Sequence, residues 1–421
     1  MTDERRPVLA IVYGDGSAPA MSLSASAASV CDLVWVIDSD EMKNVTMRRL
    51  VHKLGKTIDI AGMSGEEAAD SLRALHPDGI VAYADTQIGP ASSLGELLGL
   101  EYFGSAVAER LLDKVSQRRA LDEGGLPVPR CVVVPPHPSP DDIDALAAGV
   151  AFPVVLKPRH GAASRDTHLA ADAAQLRDLV AQLPDEEEGS GSEMVVEEYM
   201  AAAPSSPSPY FGDYVSVESV VAGGHVSHLA VTGRLPSAPP FRETGLIIPS
   251  DYAPSLIESI LRVATDAIAA LGIRIGCLHT EIKVTDKGLR VIEVNGRIGG
   301  FVAPTLALAC PGVDFFEISQ RVALGQHVAF EGLLPADHVG YVTVGQPPLG
   351  AHRMVSVTGL DRVAEYPGVD SVSVHKRPGD EVDWRRGSHE YVYAVLGTAP
   401  DHDGVRALQQ FIDEEVTVVY E

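Results

Sequence analysis

The first third of the chain alternates short apolar runs with mixed or Ala-rich segments. The apolar runs are rich in β-branched residues and cover Val8–Tyr13, Leu33–Ile37 and Gly79–Tyr83. Segments with helical spacing, such as Ser64–Leu75, lie between them. Strands that alternate with helices are typical of a parallel sheet with helices packed on it. The pattern therefore predicts an N-terminal α/β unit.

The middle of the chain carries longer strand and helix patterns. Residues 214–222 and 225–233 flank Gly223-Gly224 and predict an antiparallel hairpin. Residues 256–271 have the spacing of an amphipathic helix that ends at Gly272.

Other segments predict connections and a different C-terminal part. Asp185–Glu193 and Ala201–Pro209 are acidic or rich in small residues and proline, which favours loops. Leu235–Pro249 is Pro-rich and is a candidate for a loop that covers a substrate. From Val339 onward, short β-rich pieces alternate with Gly and Pro turns, and a final helix is predicted from about Asp403.

The segment Ile275–Gly300 carries the most informative polar pattern. Two strand-like runs flank Asp286-Lys287-Gly288, which predicts a hairpin with a three-residue loop. If Thr285 opposes Leu289, then Glu281 opposes Glu293 and His279 opposes Asn295. Because side chains alternate along a strand, these four share one face. The other face is predicted to belong to the core and carries Leu278, Ile282, Val284, Ile292 and Val294.

Two directly opposed carboxylates need an explanation. Their Cβ atoms would lie ~5 Å apart, and at an effective dielectric of ~20 the charges would repel by about 3 kcal/mol. The side chains can splay into water, or they can bind a hard cation such as Mg²⁺ with oxygen ligands. The two glutamates and Asn295 leave both interpretations open.

Basic residues near glycines suggest phosphate chemistry. Arg297 precedes Gly299-Gly300, and Lys157 ends an apolar strand before a small-residue loop that contains Ser164. Arginine pairs with carboxylates and phosphates through a planar fork, and glycines allow close approach to the backbone. A surface salt bridge is the alternative for Arg297, and an ordinary strand end is the alternative for Lys157. Val195–Tyr199 is either an adenine-binding hinge or another strand end.

Composition and charge exclude several functional classes. The 421 residues have a net charge of −25 and no run of Lys or Arg, which argues against binding duplex nucleic acid. The four cysteines are far apart and form no CxxC pair, and no apolar stretch approaches the ~20 residues of a membrane span. We therefore expect a cytoplasmic protein without a membrane partner. Gly14-Asp15-Gly16 with Asp38 is an incomplete dinucleotide fingerprint, because position 19 is proline.

Taken together, these motifs resemble the ATP-grasp superfamily in order and spacing. The resemblance covers Lys114 in LDKVSQRR, Lys157 in VVLKP, the VVEEYM hinge and the pair EIK and IEVNGR. Within the superfamily, residues 213–218 (DYVSVE), 241–243 and 279–283 (HTEIK) are similar to the bacilysin-type L-amino-acid ligases, which make dipeptides. The resemblance implies an ATP-grasp fold of mixed α/β and α+β class. Its units would be a parallel-sheet pre-ATP-grasp domain (1–113), the ATP-grasp domain (114–328, lid roughly 130–200) and a small β-rich C-terminal portion (329–421).

The resemblance also implies roles for individual residues. Lys114 and Lys157 would bind the phosphates of ATP, together with Ser164, and Glu197 and Tyr199 would hold adenine. Mg²⁺, or Mn²⁺ in its place, would be bound by Glu281, Glu293 and Asn295. Catalysis would rest on Lys157 and Arg297. The substrate site would comprise Glu243, Arg297, Gly300 and Phe301, with Phe301 limiting the substrate side chain.

The implied reaction is an ADP-forming ligation of a carboxylate and an amine through an acyl phosphate. The expected partners are small acids and amines, amino acids above all, and a homodimer is the expected assembly. Two positions depart from the pattern of the family. Leu246 lies near the position where the bacilysin-type ligases have a histidine, and Arg165-Asp166 is unusual in the phosphate loop. The resemblance therefore supports the reaction type better than the substrate. Three alternatives remain: a purine-pathway or carboxylase-type ATP-grasp enzyme, an ATP-binding regulatory protein without turnover, and a nicotinamide oxidoreductase.

Overall fold

The N-terminal unit is built on a parallel sheet, as the alternating pattern predicts. In the computed structural model, which describes residues 5–183, 193–203 and 211–421, four strands pair in the order β3-β2-β1-β4. Its elements are β1 (Val8–Val12), α1 (Ala20–Ala27), β2 (Asp32–Ile37), α2 (Val45–Leu54), β3 (Lys56–Asp59), α3 (Gly65–Arg73), β4 (Gly79–Ala82), α4 (Asp85–Leu98) and α5 (Ser105–Leu112). Both faces of the sheet are buried, which explains the continuous apolar runs.

A small antiparallel sheet follows. Its strands pair in the order β5-β8-β6-β7, and its core includes apolar residues of the two helices packed on it. Its elements are α6 (Lys114–Glu123), β5 (Cys131–Val133), α7 (Pro140–Ala148), β6 (Val154–Pro158), β7 (His168–Ala170), α8 (Ala173–Val180) and β8 (Met194–Glu198). The predicted loops 185–193 and 201–209 fall largely outside the described residues.

An eight-stranded sheet forms the largest part of the molecule. Its order is β13-β12-β9-β10-β11-β14-β17-β16, in which β14 (Val339–Val344), β17 (Tyr393–Ala399) and β16 (Val369–Val374) come from the C-terminal part of the chain. The elements up to residue 323 are β9 (Tyr214–Ala222), β10 (His225–Arg234), β11 (Gly245–Ile248), α9 (Pro254–Leu271), β12 (Gly276–Thr285), β13 (Gly288–Asn295), α10 (Val302–Ala309) and α11 (Phe315–Ala323). The predicted hairpin β9–β10 and the predicted helix α9, which ends at Gly272, are confirmed.

The C-terminal strands join this same sheet. The elements are β14 (Val339–Val344), β15 (Met354–Thr358), α12 (Leu360–Ala364), β16 (Val369–Val374), β17 (Tyr393–Ala399), α13 (His402–Glu415) and β18 (Thr417–Tyr420). Strand β14 pairs with β11 on one side and β17 on the other. The sheet therefore crosses the predicted boundary at residue 329, and the division into three domains stays a prediction.

The segment Leu235–Pro249 is only partly a loop. Its last residues form β11, which lies inside the large sheet, and Leu246 on that strand is 3% exposed and packs in the core. The expectation that the whole segment is a covering loop is wrong, because Gly245–Ile248 pairs with strands on both sides.

The hairpin β12–β13 confirms the part of the predicted register that matters for chemistry. Glu281 opposes Glu293 and His279 opposes Asn295. Nearer the turn the prediction is wrong, because Thr285 opposes Gly288 and Val284 opposes Leu289. A β-bulge at Ile292 absorbs the difference of one residue.

The bulge also changes which residue fills the core. Val291, at 1% exposure, packs with Leu278 and Val294, whereas Ile292 is only partly buried. The prediction that Ile292 lies in the core is therefore wrong. Gly288 has φ +95, a backbone conformation that glycine adopts without strain.

No helix in the described ranges is long and apolar enough to cross a membrane. The cytoplasmic location and the homodimer stay predictions.

Candidate active site

The N-terminus of α6 connects the small sheet to the large sheet. Lys114 is its first residue, and its Nζ donates to the carbonyl oxygen of Gly161 at 2.8 Å and lies 3.4 Å from Glu293 Oε1. Gly161 lies in the loop that follows β6, and Glu293 lies on β13. Lys114 therefore sits where the two sheets face each other, with its charge next to a predicted metal ligand.

Asp113 fixes this lysine in place. Its side chain caps α6 by accepting from the Val115 N–H and pairs with Arg159, whose Nη2 is 2.5 Å from Asp113 Oδ2. Burial alone would raise the pKa of Asp113, but the hydrogen bonds and charge of Arg159 lower it to about 2. The ionised carboxylate ties the start of α6 to the end of β6.

Lys157 and Glu197 form a buried ion pair on the small sheet. Lys157 Nζ lies 2.5 Å from Glu197 Oε2, and Arg118 Nε donates to Glu197 Oε1 at 2.9 Å. Glu197 is 2% exposed. Burial would raise the pKa of Glu197, but the charges of Arg118 and Lys157 lower it to about 2. Arg118 also donates to the Ile292 carbonyl oxygen at 2.5 Å, so this group is a second link between the sheets.

The predicted adenine hinge is placed at the end of β8. Here the Glu197 side chain points to Lys157 and Arg118, and the backbone N–H of Tyr199 donates to the Pro153 carbonyl oxygen at 3.0 Å. The ring of Tyr199 lies 5.0 Å from Lys283 Nζ in a cation–π contact. Adenine binding by Glu197 and Tyr199 stays a prediction.

The loop after β6 is held by the C-terminal part of the chain. We call Trp384–Glu390 the clasp segment. The backbone N–H of Ser388 donates to the Ala163 carbonyl oxygen at 2.8 Å, and that of Asp166 donates to the Arg385 carbonyl oxygen at 2.8 Å. Gly387, with φ +77, packs so closely on Ala163 that a Cβ would overlap the carbonyl oxygen. The clasp segment thus shapes the predicted phosphate loop.

Ser164 lies in this loop but already has a hydrogen-bond acceptor. Its hydroxyl donates to the Phe241 carbonyl oxygen at 2.9 Å, and its φ is +56. The hydroxyl oxygen can still accept a hydrogen bond. A role for Ser164 in phosphate binding stays a prediction.

The opposed glutamates are each flanked by cations. Glu293 faces Lys114, and Glu281 Oε1 lies 3.5 Å from His279 Nε2 and 3.9 Å from Arg234 Nη2. Burial would raise the pKa of Glu281, but His279 and Arg234 lower it, so the carboxylate stays ionised. Both side chains are about one fifth exposed, which leaves them accessible to a ligand.

Asn295 completes an oxygen-rich face. Its amide N–H donates to the His279 carbonyl oxygen at 3.4 Å, which leaves Oδ1 as an acceptor. Two carboxylates and one amide oxygen are the donor types that Mg²⁺ takes in phosphoryl-transfer sites. The residues present therefore fit a divalent cation at Glu281, Glu293 and Asn295.

A buried network supports this face from behind. His279 Nδ1 donates to Glu218 at 2.9 Å, and Arg234 Nη2 lies 3.0 Å from His279 Nε2. The contact with Arg234 suits a neutral imidazole, because Arg234 can donate only to an unprotonated Nε2. Glu281, 3.5 Å from the same nitrogen, favours the protonated ring. Burial alone would lower the pKa of His279, but Glu218 raises it to about 9. The network therefore keeps positive charge beside Glu281.

Arg297 is held by a residue of the N-terminal unit. Its Nε and Nη2 lie 2.8 and 2.7 Å from Asp85 Oδ2, and Asp85 is the first residue of α4. Burial would lower the pKa of Arg297, but Asp85 raises it. The guanidinium is thus charged and oriented at the junction of the two units.

The predicted substrate residues line two sides of the same region. Glu243 Oε1 accepts from the Tyr214 hydroxyl at 2.8 Å and lies 3.4 Å from Arg234 Nη1. Phe301 caps α10 with φ +59, and its ring lies 5.8 Å from that of Tyr391, just after the clasp segment. Gly300 has open space where a side chain would be. Their substrate roles stay predictions.

Several residues of the site were not predicted from the sequence. Arg234, Asp85 and the clasp segment come from distant parts of the chain and have no motif of their own, and Arg118 lies within the LDKVSQRR motif but was given no role. Asp85 was visible as an acidic residue after a strand, a position where functional side chains of parallel sheets gather.

Comparisons with known proteins show which domain and which fold this chain resembles. The profile of the ATP-grasp domain matches residues 150–305. The structure of an L-amino acid ligase from Bacillus licheniformis superposes with a TM-score of 0.77 at 20% identity, covering 99% of this chain and 100% of that chain. An N5-carboxyaminoimidazole synthase from Aspergillus clavatus shares the fold with a TM-score of 0.70 at 14% identity. The biotin carboxylase domain of a 2-oxoglutarate carboxylase from Hydrogenobacter thermophilus does so with a TM-score of 0.67 at 15% identity.

The matches to two sequence relatives span different fractions of those relatives. An uncharacterised protein of Sinorhizobium fredii is 26% identical over 86% of this chain and 69% of its own length. Human carnosine synthase 1 is 28% identical over 60% of this chain, but the match spans only 31% of that enzyme. The matched region therefore spans about a third of the length of carnosine synthase.

Proposed function

We propose that this chain, whose residues 150–305 match the ATP-grasp domain, is a carboxylate–amine ligase that joins two amino acids, or an amino acid and a related acid, into an amide. The reaction releases ADP and phosphate and proceeds through an acyl phosphate. The acid and the amine are small molecules.

The observation that carries the proposal is the proximity of three kinds of group in one region. Lys114 links the phosphate loop to Glu293, the opposed carboxylates offer a cation site, and Arg297 is held at the junction with the N-terminal unit. Phosphoryl transfer from ATP depends on positioning and charge neutralisation, which these groups supply.

Each residue has a defined part in the proposed reaction. Lys114 and Lys157 bind ATP phosphates, and the Lys157–Glu197 pair holds that lysine in a fixed position. Arg297 stabilises the negative charge that develops on the acyl phosphate when the amine attacks. Glu243 and Phe301 contact the substrates, and Phe301 limits the size of one side chain. A divalent cation, Mg²⁺ or Mn²⁺, when bound by Glu281, Glu293 and Asn295, would neutralise phosphate charge.

The test is an assay with ATP, Mg²⁺ and all pairs from a panel of amino acids. ADP, AMP and phosphate are quantified, and new amides are detected by mass spectrometry. The proposal predicts ADP, phosphate and amide in equal amounts for at least one pair. AMP in place of ADP, or no amide with any pair, would contradict it.

The same assay addresses the competing functions. Adding bicarbonate with purine-type amines tests the carboxylase-type and purine-pathway alternatives, which predict turnover in that arm alone. Binding of ATP without turnover in any arm would favour the regulatory protein.

A further inference from the structure

The clasp segment places a histidine beside the candidate active site. Ser388 accepts the Glu243 backbone N–H at 2.9 Å, and Gln346 donates to the carbonyl oxygens of both Glu243 and Ser388. On its other side the segment is bonded to Ala163 of the phosphate loop. These contacts fix the backbone at Ser388, immediately before His389.

His389 interacts electrostatically with charged groups from four other elements. They are Arg297 after β13, Asp85 at the start of α4, Glu243 before β11 and Arg165 in the phosphate loop. Its side chain is nevertheless exposed. His389 is therefore open to solvent and lies within electrostatic range of Arg297, Asp85 and Glu243 of the candidate site.

The neighbouring carboxylates are already engaged, whereas His389 is not. Asp85 is paired with Arg297 at 2.7 Å, and Glu243 accepts from Tyr214 and faces Arg234. Across the described ranges, the imidazole of His389 has no hydrogen-bond or ion-pair partner. Its ring nitrogens are therefore available to a substrate.

The proposed reaction, on which this inference rests, requires a proton acceptor. An amino acid reaches the site as an ammonium ion, which has no lone pair for attack. We infer that His389 is a catalytic residue that takes one proton from this ammonium. The freed amine then forms the C–N bond, the C–O bond to phosphate breaks, and the second N–H proton leaves with the phosphate.

The environment of His389 suits this role. Although the residue is exposed, the protein around it partly desolvates the imidazole, which lowers the pKa of His389. Arg297 and Arg165 lower this pKa further, while Glu243 and Asp85 raise it. The imidazole is therefore neutral near pH 7 and can accept a proton.

The test compares two nucleophiles in wild type and in His389→Gln. Hydroxylamine is neutral near pH 7, so it captures the acyl phosphate as a hydroxamate without needing a base. The acid is whichever amino acid of the panel supports ADP release by the wild type. We expect amide formation with an amino acid to fall about 100-fold in His389→Gln, while hydroxamate formation stays within a few-fold of wild type.

The pH profile gives a second readout. In the wild type, kcat/KM for the amine falls as the imidazole is protonated at low pH, and His389→Gln loses this dependence. His375→Gln is the matched control, because His375 contacts Tyr391 with ring centroids 4.6 Å apart, but its pKa is lowered by burial alone, whereas Arg297 contributes to the lowered pKa of His389. It should match the wild type with both nucleophiles.

Two results would overturn the inference. If His389→Gln loses amide and hydroxamate formation equally, His389 supports the structure of the clasp segment and not the proton transfer. If it loses neither activity, His389 has no part in the reaction. A wild type that forms neither hydroxamate nor ADP would overturn the proposed function itself, and this inference with it.

Discussion

Replacement of the buried Glu197 tests whether the small sheet is held by its ion pairs. In Glu197→Gln, Arg118 and Lys157 keep their charges but lose the carboxylate that lies 2.9 and 2.5 Å away. Leaving a buried charge without its partner is strongly destabilising, typically by about 3–5 kcal/mol.

The pKa of Glu197 gives an independent magnitude. Its value of about 2, against 4.5 for a free glutamate, corresponds to about 3 kcal/mol of stability near neutral pH. The folded-state pKa is depressed, so this contribution is complete above pH 4.5 and is lost as the pH falls toward 2. At pH 3 about 1.5 kcal/mol remains.

The assay is urea unfolding of wild type, Glu197→Gln and Glu198→Gln at pH 7 and pH 3. Glu198 is the next residue on β8, is partly exposed and accepts from the Ala151 N–H, so its variant is the matched control. We expect Glu197→Gln to lose about 3 kcal/mol at pH 7 and roughly half of that at pH 3. A loss no larger than that of Glu198→Gln, or one independent of pH, would refute the reasoning.

Three further predictions concern turnover. Asp85→Asn leaves Arg297 without its 2.7 Å ion pair, so kcat should fall about 10-fold or more while the KM for ATP changes little. Glu293→Gln removes one proposed metal ligand, so the Mg²⁺ concentration for half-maximal rate should rise, and EDTA should abolish turnover until Mg²⁺ is restored. Gly387→Ala introduces a Cβ that overlaps the Ala163 carbonyl oxygen, so the KM for ATP should rise as the phosphate loop shifts. A wild-type Mg²⁺ dependence in Glu293→Gln would contradict the second prediction. A wild-type KM for ATP in Gly387→Ala would contradict the third.

The sequence predicts those parts of the site that depend on local periodicity. The alternation along β12 and β13 is enough to place Glu281 opposite Glu293 and Asn295 on the same face. The alternation does not reveal the bulge at Ile292, because one extra residue in a strand leaves no mark in the sequence. The register argument therefore misplaces the pairs nearer the turn.

The parts that were not predicted depend on contacts between distant residues. Arg297 and Asp85 are 212 positions apart, and nothing in the sequence around either one names the other. The same is true of Arg118 with Glu197, 79 positions apart. The clasp segment was visible only as part of a β-rich C-terminal region, and its position against the phosphate loop follows from the way β14 and β17 extend the large sheet.

The central claim is that the carboxylate is activated as an acyl phosphate. The most direct measurement uses the amino acid that supports ADP release, labelled with ¹⁸O in its carboxylate, and analyses the released phosphate by mass spectrometry. Attack of the carboxylate on the γ-phosphoryl group, followed by loss of phosphate to the amine, transfers one ¹⁸O from each acid to phosphate. Unlabelled phosphate, or label recovered in AMP, would contradict the account.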